Sequence, residues 1–400
     1  MPQPIIQRLH PTPRVVFMSS FVPRECGLAT FTEDVVNAVS AHGVPCKVIA
    51  MNRPRQRVNY DRRVIATVHE DRMQDYQAAA ALVNTSGYDI LSIQHEFGLF
   101  GGESCDYLER FLNEVNIPIV TTFHTILNKP SVAMRQNLRA VARHSSAIVV
   151  MNSLAIELLE KVYGIDSRMI YMIHHGAPVV LSGRRYTMKS DLKLHGRKVL
   201  STFGLLSSGK GLEYAVQAMP YIVEECPEAV YLILGQTHPV VKQQEGERYR
   251  DSLKALARKL GVQQHIQFVD KYFTKAELVA YLLASDVYLT PYLNMEQVTS
   301  GTLAYAMACG RPLVSTPYLY AQFLLGEDRG LLVRPQDEKS IAQSCLAILT
   351  NADLQARMER SNWRYGQTMI WPRVGQEYLQ LFQHLAGMHV TSPSYLKASA

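Results

Sequence analysis

The chain has 400 residues, of which 47% are hydrophobic and 19% are charged, and this length and composition predict a globular protein of two domains. Its formal net charge of +6 is compatible with anionic substrates or a lipid surface but is too small to indicate nucleic-acid binding. The six cysteines include no C-x-x-C pair, which favours reduced thiols in a cytosolic protein over a disulfide framework or a zinc site.

Predicted strands and helices alternate in the N-terminal half. The chain begins with MPQPIIQRLHPTP, which lacks the apolar core of a signal peptide, and it contains no apolar run of about eighteen residues, so a cytoplasmic protein is expected. The strand-like segments are residues 14–19, 46–51, 64–68, 89–94, 118–124, 147–151 and 169–173. The helical patterns between them include residues 30–41, 75–83, 106–115 and 153–163. This alternation predicts a mainly parallel sheet with helices on both faces.

A stretch rich in Gly, Arg, Lys and Ser, with no apolar period, separates this half from the next one. Further strands are predicted at residues 199–203, 230–234, 265–269, 287–290, 313–315 and 330–333, and a last helical pattern at residues 374–385. The predicted segments are a Rossmann-like domain of residues 1–177, an interdomain connection of residues 178–196, a second Rossmann-like domain of residues 197–370, and a final helix and tail of residues 371–400. Two doubly wound domains that face each other would place ligands in the cleft between their strand ends.

Histidines follow several predicted strands of the first half. His95 and Glu96 follow the fourth strand, His124 ends the fifth, and His174-His175-Gly176 ends the last. Open parallel sheets bind ligands at the carboxyl ends of their strands, so these residues are candidates for a binding role, with a buried core role as the alternative. No H-x-x-x-H or matching carboxylate spacing supports a metal site.

Three strand-to-helix loops contain glycines that can approach a ligand. The first contains Arg24 and Gly27, and a plain loop is the alternative there. The second, Ser-Ser-Gly-Lys-Gly, places Lys210 after Gly209 and does not have the spacing of a Walker loop, and a plain turn is the alternative there. The third, Thr299-Ser300-Gly301-Thr302, opens an Ala-rich helix whose first amides are suited to binding an anion. An ordinary capped helix is the alternative there.

Taken together, these motifs resemble those of retaining GT-B glycosyltransferases, the large family that uses nucleotide-sugar donors, and most closely its mannosyltransferase-like branch. The resemblance is carried, in order, by FVPRECGLATFTEDV, IQHEFGLFGG, TTFHT, IHHGAP, FGLLSSGKGLEYA, LILGQTHP and QVTSGTLAYAMACGRPLVSTPY. It implies a GT-B architecture, in which two doubly wound Rossmann-like domains face a central cleft and the last helix crosses back to the N-terminal domain.

The resemblance also implies roles for individual residues. Lys210 beside Gly209 would bind the donor diphosphate, together with the amides of the loop Thr299-Ser300-Gly301-Thr302. Gly27 would lie near the transferred sugar, and His124 would contact that sugar near its anomeric carbon. The base pocket would be lined by Asp270, Lys271 and Tyr272.

Two features depart from the pattern of the family. Gly204-Leu205-Leu206 lacks the arginine that many members carry before the lysine loop, and with it one phosphate contact. The paired glutamates of the family align with Gln297, at the position that contacts the donor sugar, and with Tyr305, at the position that contacts the ribose. These changes leave two questions open: which donor is used, and whether that donor carries a nucleotide.

We therefore predict a glycosyltransferase that moves a hexose, preferably mannose from GDP-mannose, to a carbohydrate or lipid-linked hydroxyl with retention. His124, Lys210 and Gln297 are its predicted catalytic residues. The resemblance requires no enzymic nucleophile, and no cofactor or metal is expected, because Lys210 and the helix amides can stabilise the leaving diphosphate. A cytoplasmic location with peripheral membrane contact fits this chemistry. A glycoside phosphorylase that uses inorganic phosphate and a non-catalytic partner subunit remain the alternatives.

Overall fold

The computed structural model describes residues 12–102, 106–181, 185–326 and 328–387, with the side chains of Arg185 and Tyr186 excepted. The chain divides into two compact units: His175–Ile370 forms one, and the residues before His175 together with those from Trp371 onward form the other. Cys105 lies outside the described residues, and the other five cysteines are free thiols. None of the described helices is long and apolar enough to cross a membrane.

The first unit is built on a seven-stranded sheet in which all neighbouring strands are parallel. Its strands are β1 (Val15–Ser19), β2 (Cys46–Asn52), β3 (Val64–His69), β4 (Ile90–His95), β5 (Ile119–Phe123), β6 (Ala147–Val150) and β7 (Ile170–Met172). Their order is β3-β2-β1-β4-β5-β6-β7. The order reverses between β1 and β4, so the loops after these two strands flank the place where open parallel sheets bind ligands.

Six helices pack on this sheet: α1 (Gly27–Ser40), α2 (Met73–Thr85), α3 (Asp106–Glu114), α4 (Val132–His144), α5 (Ser153–Tyr163) and the last helix of the chain, α15 (Trp371–Leu385). Helix α15 lies so close to α1 that a Cβ atom on Gly375 would be only 2.5 Å from the carbonyl oxygen of Ala38. The hydroxyl of Tyr378 is 3.0 Å from Thr122 Oγ1, so α15 is also bonded to β5.

The second unit is built on a six-stranded parallel sheet. Its strands are β8 (Lys198–Phe203), β9 (Ala229–Leu234), β10 (Ile266–Val269), β11 (Val287–Thr290), β12 (Leu313–Ser315) and β13 (Gly330–Leu332), in the order β10-β9-β8-β11-β12-β13. Its helices are α6 (Arg185–Asp191), α7 (Leu212–Glu225), α8 (Pro239–Glu245), α9 (Arg248–Lys259), α10 (Lys275–Ala284), α11 (Gly301–Ala308), α12 (Leu319–Leu324), α13 (Glu338–Leu349) and α14 (Ala352–Gly366). The strand order reverses between β8 and β11, which places the loops after these strands at the ligand-binding position of this sheet.

Alternate residues of the central strands pack into two separate clusters. Leu200 and Tyr231 belong to the larger cluster, whereas Val199 and Val230 belong to the smaller one. Successive side chains of a strand point to opposite faces of the sheet, so the two clusters lie on its two faces. Helices therefore cover both faces of this sheet, as its continuous apolar strands require.

The segment of residues 178–196, which the sequence analysis assigns to an interdomain connection, contains helix α6 and packs within the second unit. Leu194 joins the smaller core cluster, and Lys189 Nζ lies 2.6 Å from Asp286 Oδ2. Met188 and Leu192 also pack against that cluster, so a few scattered apolar side chains and a buried ion pair fix this segment, and none of them produces a clear apolar period in the sequence.

The prediction of two parallel α/β domains is confirmed. Each predicted strand is present, and its ends differ from the prediction by no more than one residue. Apolar runs bounded by Gly, Pro and polar residues are local signals, which explains this agreement.

Candidate functional site

The loop after β8 places Lys210 against the aromatic ring of Tyr292. The chain passes from β8 into a short 3-10 helix, Ser208–Lys210, and Gly211 then leads into α7. The Nζ atom of Lys210 lies 3.8 Å from the centre of the Tyr292 ring, a cation–π contact. Lys210 is half-buried and forms no ion pair with any described residue, so its charge is available to an anion.

Gly211 is the glycine that this loop requires. Its φ of 59° lies in the left-handed region, and a Cβ atom there would be 2.2 Å from the carbonyl oxygen of Pro291. Gly209, the predicted binding residue, has no positive φ, and a Cβ atom there would meet no described atom within 4 Å. Its carbonyl oxygen accepts a hydrogen bond from Leu293 N at 3.0 Å, so Gly209 contributes through its backbone.

Contacts of the Tyr292 ring connect Lys210 with the start of helix α11. The Tyr292 hydroxyl lies 3.1 Å from Thr302 Oγ1, and the ring stacks on Tyr318 with a centroid distance of 5.4 Å. Ser300 caps the helix, since its Oγ accepts from Leu303 N at 3.3 Å. The structure therefore brings Lys210 and the loop that contains Ser300, Gly301 and Thr302 together at one end of the second sheet.

Helix α11 directs its positive end toward this place. The first amides of a helix have no carbonyl partner within the helix, and they carry the positive end of its dipole. Ser300 takes up the amide of Leu303 and leaves those of Gly301 and Thr302 to be satisfied in other ways. An amide pair next to an ammonium group is a chemical arrangement suited to a phosphate or diphosphate.

His175 packs on the first residue of α11. Its Nδ1 lies 2.8 Å from the carbonyl oxygen of Gly176 and donates to it, while a Cβ atom on Gly301 would be 2.8 Å from its Nε2. Glycine at position 301 thus leaves the space that the imidazole fills. Burial lowers the pKa of His175 to about 4, so the ring is neutral at pH 7 and its Nε2 carries no proton.

Gln297 and Tyr305 are the residues that the resemblance aligns with the paired glutamates of the family. Gln297 Nε2 donates to the carbonyl oxygen of Thr299 at 2.7 Å, a hydrogen bond that an ionised glutamate cannot make. This bond uses the donating end of the amide, and Oε1 is the end that can accept a hydrogen bond. Tyr305 lies on α11 with 7% of its surface exposed, and its ring centre is 6.4 Å from that of His175.

The predicted base-pocket residues follow β10, at the edge of the second sheet. Asp270 Oδ1 accepts from Arg250 Nη2 at 2.7 Å, and Lys271 Nζ lies 2.6 Å from Glu277 Oε1. Tyr272 is 42% exposed. The two charged side chains of this group are therefore already paired, and Tyr272 presents the open aromatic surface.

Arg250 organises this region and was missed by the sequence analysis. It is only 2% exposed, and its Nη2 also donates to the carbonyl oxygen of Gly235 at 3.1 Å. It thereby joins the loop after β9 to the loop after β10. The available signal was its position on α9, where Arg250 shares the buried stripe of Leu253 and Ala257.

In the first unit, His124 is held by contacts with neighbouring elements. Its Nε2 lies 3.0 Å from Gln94 Oε1, and its backbone amide donates to the His95 carbonyl oxygen at 3.0 Å. The ring meets Phe31 of α1 edge to face, with a centroid distance of 4.7 Å. An amide oxygen only accepts, so Nε2 carries a proton and donates it to Gln94.

His95 and Glu96, which follow one another in the chain, have different environments. His95 is fully buried among Phe97, Phe100 and Phe123, and burial lowers its pKa to about 4, which identifies it as a core residue. Burial raises the pKa of Glu96 to about 6, against a hydrogen bond of 3.0 Å from Thr125 Oγ1. Glu96 therefore titrates close to neutral pH.

Gly27 is the first residue of α1 and is exposed at its N-terminus. Cys26 caps this helix through a hydrogen bond of 3.4 Å from Ala29 N to its Sγ. A Cβ atom on Gly27 would meet no described atom within 4 Å, so the fold alone does not require glycine there. Across both units, the described residues contain no group of three or more His, Cys, Asp or Glu side chains arranged to hold a metal ion.

Two family models match the chain. Residues 26–179 match the model described as Glycosyltransferase Family 4, and residues 197–351 match the model described as Glycosyl transferases group 1. Spore coat protein SA of Bacillus subtilis (strain 168) is 25% identical over 206 residues, which are 50% of this chain and 52% of that protein. The chain spans about half the length of the curated relatives it matches.

Solved structures with low sequence identity share the fold of the two units. The sucrose-phosphate synthase of Thermosynechococcus elongatus superposes with a TM-score of 0.75 at 17% identity, over 94% of this chain and 100% of that one. Anabaena HepE, in complex with UDP and glucose, superposes with a TM-score of 0.73 at 12% identity, over 93% of this chain and 100% of that one. The two parallel-sheet α/β units therefore match those of GT-B glycosyltransferases, and residues 26–179 and 197–351 are similar to family 4 and group 1 glycosyltransferase domains, respectively.

Proposed function

We propose that the protein is a retaining glycosyltransferase that moves a hexose from a nucleotide diphosphate sugar to a carbohydrate or lipid-linked hydroxyl. The observation that carries this proposal is the position of Lys210 on the Tyr292 ring, with contacts that lead to Thr302 at the start of α11. The match of the second half to a glycosyltransferase model supports it.

The chemistry of the leaving group explains why these residues suit the reaction. Negative charge develops on the nucleoside diphosphate as its bond to the anomeric carbon breaks. An ammonium group and helix amides that are already oriented stabilise this charge without reorganisation in the transition state. Lys210 contributes a full charge, and the start of α11 contributes its dipole and its amides.

We assign the transferred sugar to His124 and Gln297. Gln94 fixes both the tautomer and the plane of the His124 ring, which is what a residue that orients a sugar hydroxyl needs. The Oε1 atom of Gln297 is a neutral acceptor for another hydroxyl. We assign the ribose to Tyr305, whose single hydroxyl would bind it more weakly than a carboxylate. Tyr305→Phe should then cost nucleotide binding about 0.5–1.5 kcal/mol.

The donor is the part of the proposal with two candidates. The family resemblance favours GDP-mannose, whereas Anabaena HepE is described with UDP and glucose. Turnover with GDP-mannose and UDP-glucose, measured side by side as release of the nucleoside diphosphate, decides between them. A product that keeps the anomeric configuration of the donor would support retention, and an inverted product would refute it.

Calorimetric titration of the wild type and Lys210→Ala with GDP, UDP, ADP and inorganic phosphate tests the proposal directly. A charged hydrogen bond is worth about 1.5–3 kcal/mol, so loss of Lys210 should weaken binding of the nucleoside diphosphate about ten- to a hundredfold. Lys254→Ala is a matched control, because Lys254 also lies over an aromatic ring, at 5.8 Å from the centre of Phe268. Equal affinities of all three proteins would exclude the role of Lys210.

The same titrations separate the alternatives. Gln297 and Tyr305 in place of two carboxylates keep a glycoside phosphorylase under consideration, and it predicts binding of phosphate or a sugar 1-phosphate without binding of any nucleotide. A non-catalytic partner subunit predicts that no small ligand binds through Lys210.

A further inference from the structure

Four arginines lie at the ligand-binding edge of the first sheet. We call Arg24, Arg53, Arg55 and Arg57 the arginine cluster. Arg24 belongs to the loop after β1, and the other three directly follow β2. The strands β1 and β2 are parallel neighbours, with Ser19 opposite Ala50, so both loops leave the sheet at the same edge. This edge adjoins the reversal of strand order between β1 and β4.

The turn that carries three of these arginines is held in place by Gln56. Arg53 N donates to Gln56 Oε1 at 3.1 Å, and Gln56 N donates to the Arg53 carbonyl oxygen at 3.1 Å. The Gln56 carbonyl oxygen lies 3.2 Å from His69 Nε2, at the end of β3. Arg55 has a φ of 59°, a left-handed conformation that an L-residue adopts only where its surroundings hold it. The guanidinium groups are therefore carried on an ordered turn.

The charge of the cluster is not neutralised by ion pairs. Arg53, Arg55 and Arg57 are exposed, and within the described ranges none of them has a carboxylate partner. Arg63, farther along the same segment, differs from them because it pairs with Glu33 at 3.0 Å. The unpaired arginines are thus a feature of one turn rather than of the whole segment.

Arg24 adds a buried donor to this surface. Its Nη1 is buried and has no hydrogen-bond partner among the described residues, although buried donors are normally satisfied. Burial raises the pKa of Glu70, and the positive charges of Arg24 and Arg53 act against that increase. Asp71 is the other carboxylate that acts on Glu70. Neither carboxylate forms an ion pair with the cluster among the described residues.

We propose that the arginine cluster binds a phosphate group of the acceptor. This proposal rests on the proposed glycosyl transfer and specifies its acceptor as a phosphomonoester, either a lipid headgroup or a soluble sugar phosphate. The planar guanidinium fork matches the spacing of two phosphate oxygens, and several forks on a fixed turn can hold a dianion.

The test uses two probes with the same headgroup. One is sn-glycerol 3-phosphate in solution, and the other is phosphatidic acid in phosphatidylcholine vesicles, with pure phosphatidylcholine vesicles as the blank. All proteins carry Lys210→Ala, so that phosphate binding at the proposed donor site does not contribute. The triple variant Arg53→Gln, Arg55→Gln and Arg57→Gln is compared with a control that replaces Arg357, Arg360 and Arg364, three exposed arginines of α14.

The control should bind at least one probe, and the cluster variant should bind it at least about tenfold more weakly, because several charge-assisted hydrogen bonds are lost. Vesicle binding without binding of the soluble probe assigns the phosphate to a lipid, and the reverse assigns it to a soluble acceptor. The proposal would be overturned if the two variants bound a probe equally, or if neither probe bound. It would also be overturned if the control variant bound glucuronate as tightly as it binds the phosphate probe. Nucleotide titration of the wild type against Lys210→Ala measures the donor site separately, so failure of one proposal is distinguishable from failure of the other.

Discussion

Replacement of Gly211 by alanine should damage the second unit and its proposed diphosphate site together. The new Cβ atom would lie 2.2 Å from the Pro291 carbonyl oxygen, so the chain on either side of Tyr292 must move. A left-handed conformation costs an L-residue about 1–2 kcal/mol, and overpacking against a backbone atom costs about 1–3 kcal/mol more. The expected loss of stability is therefore about 2–5 kcal/mol.

Gly209→Ala is the matched control, two residues earlier in the same loop. A Cβ atom there meets no described atom within 4 Å and φ is not positive, so this change should leave stability equal or raise it by about 0.4–1 kcal/mol. Thermal unfolding measures both, with about 2–4 °C per kcal/mol for a unit of this size. Gly211→Ala should therefore unfold about 4–20 °C below the wild type.

Nucleotide binding provides the second measurement on the same preparations. Movement of Tyr292 removes the ring on which Lys210 rests, so Gly211→Ala should weaken UDP or GDP binding at a temperature where the protein is still folded. Gly209→Ala should bind as the wild type does. Equal melting temperatures of the two variants would refute the argument from backbone geometry.

Three further predictions concern other parts of the molecule. His124→Ala should lower kcat far more than it lowers nucleotide affinity, because the proposed contact is made mainly in the transition state. Steady-state kinetics and calorimetry measure the two quantities. A lowered melting temperature with kcat unchanged would instead assign the ring to the core. The folded protein holds the proton of Glu96 more tightly, at a pKa of about 6 against the usual 4.5, so stability should fall by about 2 kcal/mol as the pH rises across that interval. Urea unfolding at a series of pH values measures this slope, and a slope that persists in Glu96→Gln would contradict its assignment to Glu96. Arg250→Met should lower stability by about 3 kcal/mol, because it leaves the partners of a buried guanidinium unpaired. Lys254→Met is the control. It removes an exposed ion pair in which Lys254 Nζ lies 3.9 Å from Asp251 Oδ1, so it should change stability by less than about 1 kcal/mol. Similar melting temperatures for these two variants would show that Arg250 does not join the loops after β9 and β10.

The sequence was sufficient for the strands of both sheets and for the loops of the candidate site, but it did not predict helix α6. Strand positions depend on apolar runs and the turn residues beside them, and both are local properties that a single segment displays. The same locality allowed the Lys210 loop and the start of α11 to be identified as places where a strand becomes a helix. Alternating elements and right-handed crossovers limit the possible topologies, but the order of the strands in each sheet was not predicted and comes from the structure.

Only the tertiary structure decided which residues of those loops matter. Gly211 rather than Gly209 must be glycine because Pro291, which comes from another strand end, approaches it. Tyr292 and Arg250 were not identified from the sequence, because their roles depend on partners that are distant along the chain. His95 and His124 looked alike as strand-end histidines, yet one is enclosed by three aromatic rings and the other is held by an amide. The physical reason is the same in each case: a side chain's space, pairing and protonation are set by neighbours from other segments, and those neighbours exist only in the folded chain.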